Sequence, residues 1–376
     1  MAMLRSVTVS GFKNFSNKMT FDLTAGNYSF NDEGITENGR LVKNAIVYGK
    51  NGSGKSNLGL AIMDIITHLT DKQVNYDDYS NKYYVNLESD FTAAEFRYEF
   101  EFESGNLVYV CKKKNYDDVI FEEILINKRI VLQYDREKNY KFVDLKGTES
   151  LNLNYDNPSL SLTKYVFANT GLDPEYSENK VFLDFKKFVN SMLSFTFVES
   201  SHYQGFTNGS DSMIKIIIER NKVQEFQDFL KTVGINYDLF VKEVDGEKKI
   251  YARFPSGREV DIFSIMSKGT KSLVLFYNWY LHFEDEVRFV FIDEFDANYH
   301  NDTSRKIVEL LKKLKNTQSI LTTHNTYNMS TEILRPDCLF VVQDNQVNSI
   351  QNETDRELRK AHNLEKMYRA GAFDDK

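Results

Sequence analysis

Residues 45–57 read AIVYGKNGSGKSN, an apolar run followed by a glycine-rich loop. The run Ala45–Tyr48 predicts a buried strand, and apolar residues at helical spacing from Leu58 to Leu69 predict a helix after the loop. The loop itself, Gly49–Ser56, fits the pattern G-x-x-x-x-G-K-[ST] at every position. Strand, glycine loop and helix in this order are typical of a P-loop, which binds nucleotide phosphates.

The residue types in this loop have physical reasons. Glycines let backbone N–H groups converge on phosphate oxygens, and the start of the following helix adds positive potential. Lys55 is expected to reach the β- and γ-phosphates of ATP, and Ser56 to hold Mg²⁺. The predicted nucleotide-binding residues here are Gly49, Lys50, Asn51, Gly52, Ser53, Gly54, Lys55, Ser56 and Asn57.

A second apolar strand ends in two carboxylates. It reads FVFIDE over residues 289–294, so the acidic pair is Asp293 and Glu294. With a P-loop upstream, Asp293 is predicted to be a Mg²⁺ ligand beside Ser56. Glu294 is predicted to orient and deprotonate the attacking water.

Two further motifs lie close to the acidic pair in sequence. TTHN, residues 322–325, follows an apolar strand, and His324 is predicted to hydrogen-bond the γ-phosphate and sense its loss. SKGTK, residues 267–271, opens a helix. Its hydroxyl and glycine either cap that helix or receive a phosphate at its N-terminus.

Composition narrows the class of partner. The 376 residues include 47 Lys and Arg against 55 Asp and Glu, which gives a net charge of −8 and disfavours bulk binding of polyanions. The lysine clusters 112–114, 186–187 and 312–315 are interpreted as solvated faces. Cys111 and Cys338 have no metal or disulfide spacing and are expected to be buried thiols.

No apolar run approaches the length of a membrane span, and the N-terminal residues lack an apolar signal region. We expect a soluble, cytoplasmic protein. Alternation predicts a hairpin near the N-terminus and an antiparallel sheet over 94–145. Residues 146–175 are interpreted as linker, 177–233 as mostly helical, and 353–370 as a charged terminal helix.

The predicted fold is therefore α/β, a P-loop NTPase with a mixed sheet around the P-loop helix. Residues 1–150 are expected to hold the P-loop and an antiparallel β subdomain. Residues 151–260 are expected to form an inserted, mainly helical lobe. Residues 261–376 would then complete the head with SKGT, the acidic pair and His324.

The order of these motifs resembles the ABC ATPase heads of the SMC and RecF type over roughly 1–70 and 260–370. More closely, it resembles the stand-alone AAA/ABC ATPases of bacterial phage defence, namely abortive-infection, OLD-like and PARIS-type ATPases. The stretches that carry the closer likeness are VSGFKNFS (9–16), DEFDANYH (293–300) and HNLEKMYRAGAF (362–373).

In such proteins two heads sandwich two ATP molecules. The resemblance implies that Ser267 and Gly269 contact the γ-phosphate bound by a partner head, and that Lys13 and Asn14 lie near the adenine or ribose. His300 would take the place of a D-loop aspartate. Three departures stand out: SKGT replaces LSGGQ, Tyr299 replaces a leucine, and neither Gln73 nor Gln133 is a convincing Q-loop glutamine.

The resemblance implies Mg²⁺-dependent ATP hydrolysis by a head dimer or a higher homo-oligomer. In biological terms it implies a sensor or scaffold ATPase that controls a separately encoded effector, a nuclease or toxin, in antiphage defence. One alternative is a RecF/SMC-like repair ATPase that binds DNA. Others are a transporter ATPase subunit, disfavoured by the missing LSGGQ, and an ATP-dependent assembly module with little turnover.

Overall fold

The computed structural model describes residues 2–72, 79, 83–154, 157, 160–196, 203–205, 213–283 and 285–374. Within these residues the strands are β1 (Met3–Ser10), β2 (Met19–Asp22), β3 (Asn44–Tyr48), β4 (Ala94–Phe102), β5 (Gly105–Asn115), β6 (Asp118–Ile126), β7 (Arg129–Asp135), β8 (Tyr140–Val143), β9 (Met192–Thr196), β10 (Tyr203–Gly205), β11 (Asp238–Val244), β12 (Glu247–Arg253), β13 (Glu259–Asp261), β14 (Phe289–Asp293), β15 (Gln318–Thr323), β16 (Leu339–Gln343) and β17 (Gln346–Ser349). The α-helices in the same part of the chain are α1 (Lys55–Leu69), α2 (Leu162–Asn169), α3 (Ser177–Asn190), α4 (Met213–Glu219), α5 (Val223–Thr232), α6 (Ile262–Ile265), α7 (Lys268–Tyr280), α8 (Asn301–Lys313) and α9 (Leu364–Arg369).

Strand β3 lies inside a mixed sheet with the order β10-β9-β14-β15-β3-β16-β17. The five central strands run parallel, and β10 and β17 are antiparallel edge strands. The carboxyl ends of β3, β14 and β15 therefore lie at one edge of the sheet, where α/β proteins place their ligands. The α/β fold predicted from the sequence, with a mixed sheet and an antiparallel one, is confirmed.

Helix α1 lies between the mixed sheet and an antiparallel sheet with the order β2-β1-β4-β5-β6-β7-β8. On the mixed-sheet side, Gly59 lets the helix approach β14, because a Cβ there would lie 2.3 Å from the ring of Phe291. On the opposite side, the hydroxyl of Tyr98 donates to the carbonyl of Ala61 at 2.7 Å. Burial on both sides explains why α1 is apolar around most of its circumference.

One glutamine joins the two sheets. The side chain of Gln318, fully buried at the start of β15, accepts from the N–H of Leu4 at 2.9 Å. Its amide group donates to the carbonyls of Leu4 at 2.9 Å and Val42 at 3.0 Å. All three hydrogen bonds of this buried amide are made to backbone groups of β1 or of the segment leading into β3. They hold the two sheets in one position relative to each other.

Polar side chains behind α1 form a buried hydrogen-bonded network. Lys113 donates to Asp64 Oδ2 at 2.7 Å and lies 3.1 Å from Nδ1 of His68. His68 Nε2 lies 2.7 Å from the hydroxyl of Tyr109, which donates to Glu122 at 2.7 Å. An ammonium group cannot accept a hydrogen bond, so Nδ1 of His68 is the acceptor and Nε2 carries the proton. Burial, with the charge of Lys113 as a smaller cause, lowers the pKa of His68 well below its usual value.

The lysine cluster 112–114 was interpreted as a solvated face, and the burial of Lys113 in this network shows that this interpretation is wrong for Lys113. Lys113 is fully buried because it continues the inward-facing alternation of Leu107, Tyr109 and Cys111 on β5. The cysteines are buried as expected. In the part of the chain that the structure describes, no helix is both long and apolar enough to cross a membrane.

Three predictions of secondary structure were wrong in part. The presumed linker contains α2, which is capped by Ser161, whose hydroxyl accepts from the N–H of Lys164 at 3.0 Å. Residues 151–260 are mixed rather than mainly helical, because β9 to β13 lie there and β9 pairs in parallel with β14. The terminal helix begins only after Asn363, whose side chain caps it. The domain boundaries at 150 and 260 stay predictions.

We expect His68→Gln to make stability less dependent on pH. His68 is neutral when folded but ionises in the unfolded chain near pH 6.5, so its contribution to stability is present above that pH and lost as the pH falls further. The loss approaches about 1.4 kcal/mol per pH unit. Glutamine offers Lys113 an acceptor and Tyr109 a donor but does not titrate.

Urea unfolding of both proteins at about pH 7.5 and 5.5 measures this difference. His300→Gln, which changes an exposed histidine, is the matched control and should keep the wild-type dependence. Equal pH dependence in wild type and His68→Gln would contradict the neutral, buried assignment.

Candidate functional site

Glycines shape the loop between β3 and α1. Gly52 and Gly54 have φ angles of 78° and 105°, in the left-handed region that other residues avoid. A Cβ at Gly54 would lie 2.5 Å from Nδ2 of Asn14, and one at Gly49 would lie 2.5 Å from Oγ of Ser53. Glycine is therefore needed here both for backbone conformation and for space.

Lys55 is the first residue of α1, and its side chain reaches back into the loop. Its ammonium group donates to the carbonyls of Gly49 at 2.9 Å and Lys50 at 3.1 Å. It also lies 3.4 Å from Oε1 of Glu294. The charge is thus held within the loop, next to the carbonyls of Gly49 and Lys50. Its contact with phosphate oxygens stays a prediction.

The acidic pair lies at the end of β14, opposite the start of α1. The hydroxyl of Ser56 donates to Oδ2 of Asp293 at 2.7 Å. Burial raises the pKa of Asp293, and hydrogen bonds from Thr322 and Ser56 oppose that rise. Oε2 of Glu294 lies 2.9 Å from Nδ1 of His324, so the two oxygens of this carboxylate face Lys55 and His324 respectively.

The backbone of Glu294 is left-handed, with φ at 49°. Such a conformation costs roughly 1–3 kcal/mol for a residue with a side chain, and it persists where neighbours hold it. The N–H of Glu294 donates to the hydroxyl of Thr322 at 2.9 Å, and the N–H of Phe295 donates to the carbonyl of Thr322 at 3.1 Å. Thr322 had no predicted role, because the pairing of β14 with β15 cannot be derived from local pattern in the sequence.

The P-loop, Glu294 and His324 face a cavity of about 410 Å³. Its lining residues are Asn51, Gly52, Gly54, Lys55, Ser56, Asn57, Glu294, Ala297 and His324. His324 is half exposed toward this space. A larger cavity of about 490 Å³ is lined by a different set of residues, among them Lys215 on α4 and Lys249 on β12. The smaller cavity is the candidate site, because the P-loop, Glu294 and His324 converge there.

Of the two residues predicted to lie near the adenine or ribose, Asn14 contacts the P-loop. Its Oδ1 accepts from Asn57 at 2.6 Å, and its Nδ2 donates to Asn345 at 2.7 Å and packs on Gly54. The side chain of Lys13 is buried, and its charge acts on Asp64 at the opposite side of α1. No nucleotide contact of either residue follows from these positions alone.

Ser267 and Gly269 lie at the start of α7. The hydroxyl of Ser267 accepts from the N–H of Thr270 at 3.1 Å, an N-cap. A Cβ at Gly269 would lie 2.5 Å from the carbonyl oxygen of Asn298, so α7 packs closely on the loop that follows the acidic pair. Neither residue is among those that line the cavity of the same chain within the described part.

His300 caps α8 through its ring nitrogen, at 3.4 Å from the N–H of Asp302. Gln133, one of the two Q-loop candidates, donates to Glu123 on the antiparallel sheet at 2.9 Å. Gln73 lies outside the described residues. The structure therefore offers no support for Gln133 as a Q-loop glutamine.

The donor set fits Mg²⁺ and a nucleotide. Ser56 lines the cavity, and its Oγ lies 2.7 Å from Oδ2 of Asp293, so two hard oxygen ligands are adjacent there. Mg²⁺ usually takes few protein ligands and keeps water and phosphate oxygens. The hydroxyl of Ser53 is buried in the P-loop without a hydrogen-bond partner among the described residues. Nor do those residues contain a group of three or more His, Cys, Asp and Glu side chains able to hold a metal ion by itself.

A P-loop between strand and helix, an acidic pair on a parallel strand and a histidine on the next one define a P-loop ATPase. The chain belongs to the family described as "AAA domain, putative AbiEii toxin, Type IV TA system", whose model matches residues 45–330, more than half of its 376 residues. The resemblance to AAA/ABC ATPases of the abortive-infection type is thereby confirmed.

The chain is also similar to solved SMC heads. For the SMC head domain from Thermotoga maritima the identity is 18%, with 90% of this chain and 94% of that one covered and a TM-score of 0.43. For an SmcHead bound to the C-winged helix domain of ScpA the identity is 15%, with 93% of this chain and 99% of that one covered and a TM-score of 0.47. For the Smc head domain with a coiled coil and joint from Pyrococcus yayanosii the identity is 13%, with 93% of this chain and 97% of that one covered and a TM-score of 0.48. No curated protein matches the sequence.

We expect Lys55→Ala to weaken ATP binding by roughly 10- to 100-fold or more, because charge-assisted hydrogen bonds to phosphate are lost. Calorimetric titration with ATP measures the change. Lys306→Ala, on an exposed face of α8, is the matched control for removal of a lysine charge and should bind as wild type does. An unchanged affinity for Lys55→Ala would contradict the P-loop assignment.

Proposed function

We propose that the protein binds ATP with Mg²⁺ and hydrolyses it in the cavity between the P-loop, the acidic pair and His324. The observation that carries this proposal is the convergence of charges there. Ser56 lies 2.7 Å from Asp293, and Lys55 lies 3.4 Å from Glu294. Bound at Ser56 and Asp293, Mg²⁺ would neutralise charge on the phosphate oxygens.

Glu294 is the proposed general base. Its carboxylate is held between the ammonium of Lys55 and the ring of His324, at 3.4 Å and 2.9 Å. A γ-phosphate in the cavity would attract Lys55 away from Oε1 of Glu294. That oxygen would then be free to accept a hydrogen bond from the attacking water, while His324 still fixes the other.

His324 is the proposed sensor of the γ-phosphate. Its side chain is half exposed, and it reaches Glu294 through Nδ1, which leaves Nε2 available to a ligand. A histidine that contacts both the base and the γ-phosphate would link the loss of that phosphate to the position of the base.

Two copies of the chain are proposed to sandwich ATP, as a dimer or within a higher homo-oligomer. Ser267 and Gly269 would then contact the γ-phosphate held by the partner copy. Support comes from the way α7 is attached to the loop after the acidic pair: Asn298 donates to Ser272 at 3.1 Å, and its carbonyl faces Gly269. A change at Glu294 would reach the proposed dimer surface along this short path.

The biological role we propose is that of a sensor or scaffold ATPase in antiphage defence, which controls a separate nuclease or toxin. The abortive-infection type of the matching family supports it. A RecF/SMC-like repair ATPase is less favoured, because the net charge is −8 and two of the clustered lysines, Lys113 and Lys312, are buried.

Glu294→Gln is expected to lower the turnover of ATP by roughly 10²- to 10⁴-fold, because the amide cannot take a proton from water. ATP binding should persist, and the bound ATP should hold a dimer together. Phosphate release and light scattering after gel filtration, with and without MgATP, measure the two effects. A monomer in MgATP would count against the sandwich.

Wild type provides the second arm of this experiment. If it binds ATP but releases no phosphate, the chain is an assembly module and the hydrolase proposal fails. If turnover rises with added DNA in proportion to DNA binding, the result supports a DNA-repair ATPase and counts against the proposed role in defence.

The defence role predicts that cells carrying the native locus restrict at least one phage, and that Lys55→Ala at the same expression level does not. Plaque counts on both strains measure this, with Lys306→Ala as the matched strain. Equal plaque counts for wild type and Lys55→Ala across a broad phage panel would remove the support for this role. The ATPase proposal would be untouched.

A further inference from the structure

The hydroxyl of Thr322 makes two hydrogen bonds at the catalytic edge of the sheet. It donates to Oδ1 of Asp293 and accepts from the N–H of Glu294 at 2.9 Å. Parallel pairing of β14 with β15, with Ile292 opposite Leu321, puts Thr322 level with the acidic pair. A single side-chain oxygen thus contacts both acidic residues.

The first of these bonds fixes the orientation of the Asp293 carboxylate. Oδ1 accepts from Thr322, and Oδ2 accepts from Ser56, a residue that lines the cavity, at 2.7 Å. Thr322 is fully buried. Without its hydroxyl, Oδ1 of Asp293 would lose this donor, and the carboxylate would be free to rotate.

The second bond holds the base. Glu294 has its φ at 49°, and its N–H has the Thr322 hydroxyl as acceptor. The left-handed backbone turns the Glu294 side chain toward Lys55 and His324. Loss of the acceptor would favour relaxation of this turn and a less defined place for the carboxylate.

The next residue repeats the arrangement on the other face of β15. The hydroxyl of Thr323 donates to Asp296 at 2.6 Å and accepts from the N–H of Asn325 at 2.8 Å. Both threonines therefore attach β15 to the loop after β14, but only Thr322 contacts the proposed catalytic pair.

We propose that Thr322 is a positioning residue that orients the metal-ligand oxygen of Asp293 and the base Glu294 through one hydroxyl. The inference rests on the proposed ATP hydrolysis and deepens it. Thr322 itself contacts neither nucleotide nor the attacking water. Its effect should appear in the dependence on Mg²⁺ and in kcat, and not in the affinity for nucleotide without metal.

The test compares Thr322→Val, which keeps the β-branched shape, with Thr322→Ser, which keeps the hydroxyl. For valine we expect kcat to fall by roughly 10- to 100-fold, the effect of losing a hydrogen bond to a charged group, with KM for ATP nearly unchanged. Serine should restore most of the lost kcat. Thr322→Ala repeats the test if the valine protein does not fold.

Binding supplies a readout that does not need turnover. Titration with ATP in EDTA should give equal affinities for wild type and Thr322→Val. Titration with Mg²⁺ at fixed ATP should show a several-fold higher metal requirement for the valine protein. The control is Thr317→Val, which removes a buried hydroxyl bonded to the Val287 carbonyl at 2.8 Å, beyond the other end of β15, and should move thermal stability alone.

Each outcome of these measurements either supports the proposed role of Thr322 or overturns it. The proposal is overturned if Thr322→Val keeps the wild-type kcat and Mg²⁺ requirement, or if serine and valine lose activity equally. It is also overturned if Thr317→Val changes kcat as much as Thr322→Val does. If wild type shows no turnover, the proposed hydrolysis fails, while the Mg²⁺ titration still tests the orientation of Asp293 by Thr322.

Discussion

Burial of helix α1 between two sheets is the constraint on which the nucleotide site depends. The mixed sheet touches the helix through Gly59 and Phe291, and the antiparallel sheet touches it through Tyr98. The first turn of the same helix carries Lys55 and Ser56, so these two side chains cannot move relative to the ends of β3 and β14 unless the packing on both sides changes. A rigid support of this kind favours a phosphate site, because catalysis loses much when reacting groups are misplaced by even one ångström.

That burial has a consequence on the far side of the helix, where Asp64 and His68 lie without access to water. Lys113 from β5 pairs with Asp64 at 2.7 Å and also donates to Nδ1 of His68 at 3.1 Å. Replacing a buried ion pair by apolar residues is often neutral for stability, so this network is better understood as a device that fixes register. Its polar groups are matched only when α1 and the antiparallel sheet meet in one alignment, and the same alignment sets where Lys55 points.

Local pattern in the sequence is sufficient for the P-loop, the acidic pair and the antiparallel sheet over 94–145. Each of these is specified by residues close together in the chain. Local pattern failed for β9, because a five-residue apolar run such as MLSFT does not distinguish a strand from the end of a helix. The role of Thr322 was also out of reach, since it arises from the pairing of two strands that a helix separates. The burial of Lys113 could have been predicted from the sequence, because the alternation of inward-facing residues on β5 extends to it.

Strand β15 brings the parts of the site together in a way that the P-loop does not. Thr322 holds Asp293 and Glu294, and His324, two residues further on, contacts the carboxylate of Glu294 at 2.9 Å. Glu294, the proposed base, is therefore held at its backbone and at its side chain by the same short segment. In the proposed mechanism, a nucleotide that pulls on His324 would act on this segment directly, and Glu294 would respond without a change in the shape of the P-loop. Because Asn298 and Gly269 connect the loop after Glu294 to α7, the response has a defined route to the surface where a second copy is proposed to bind.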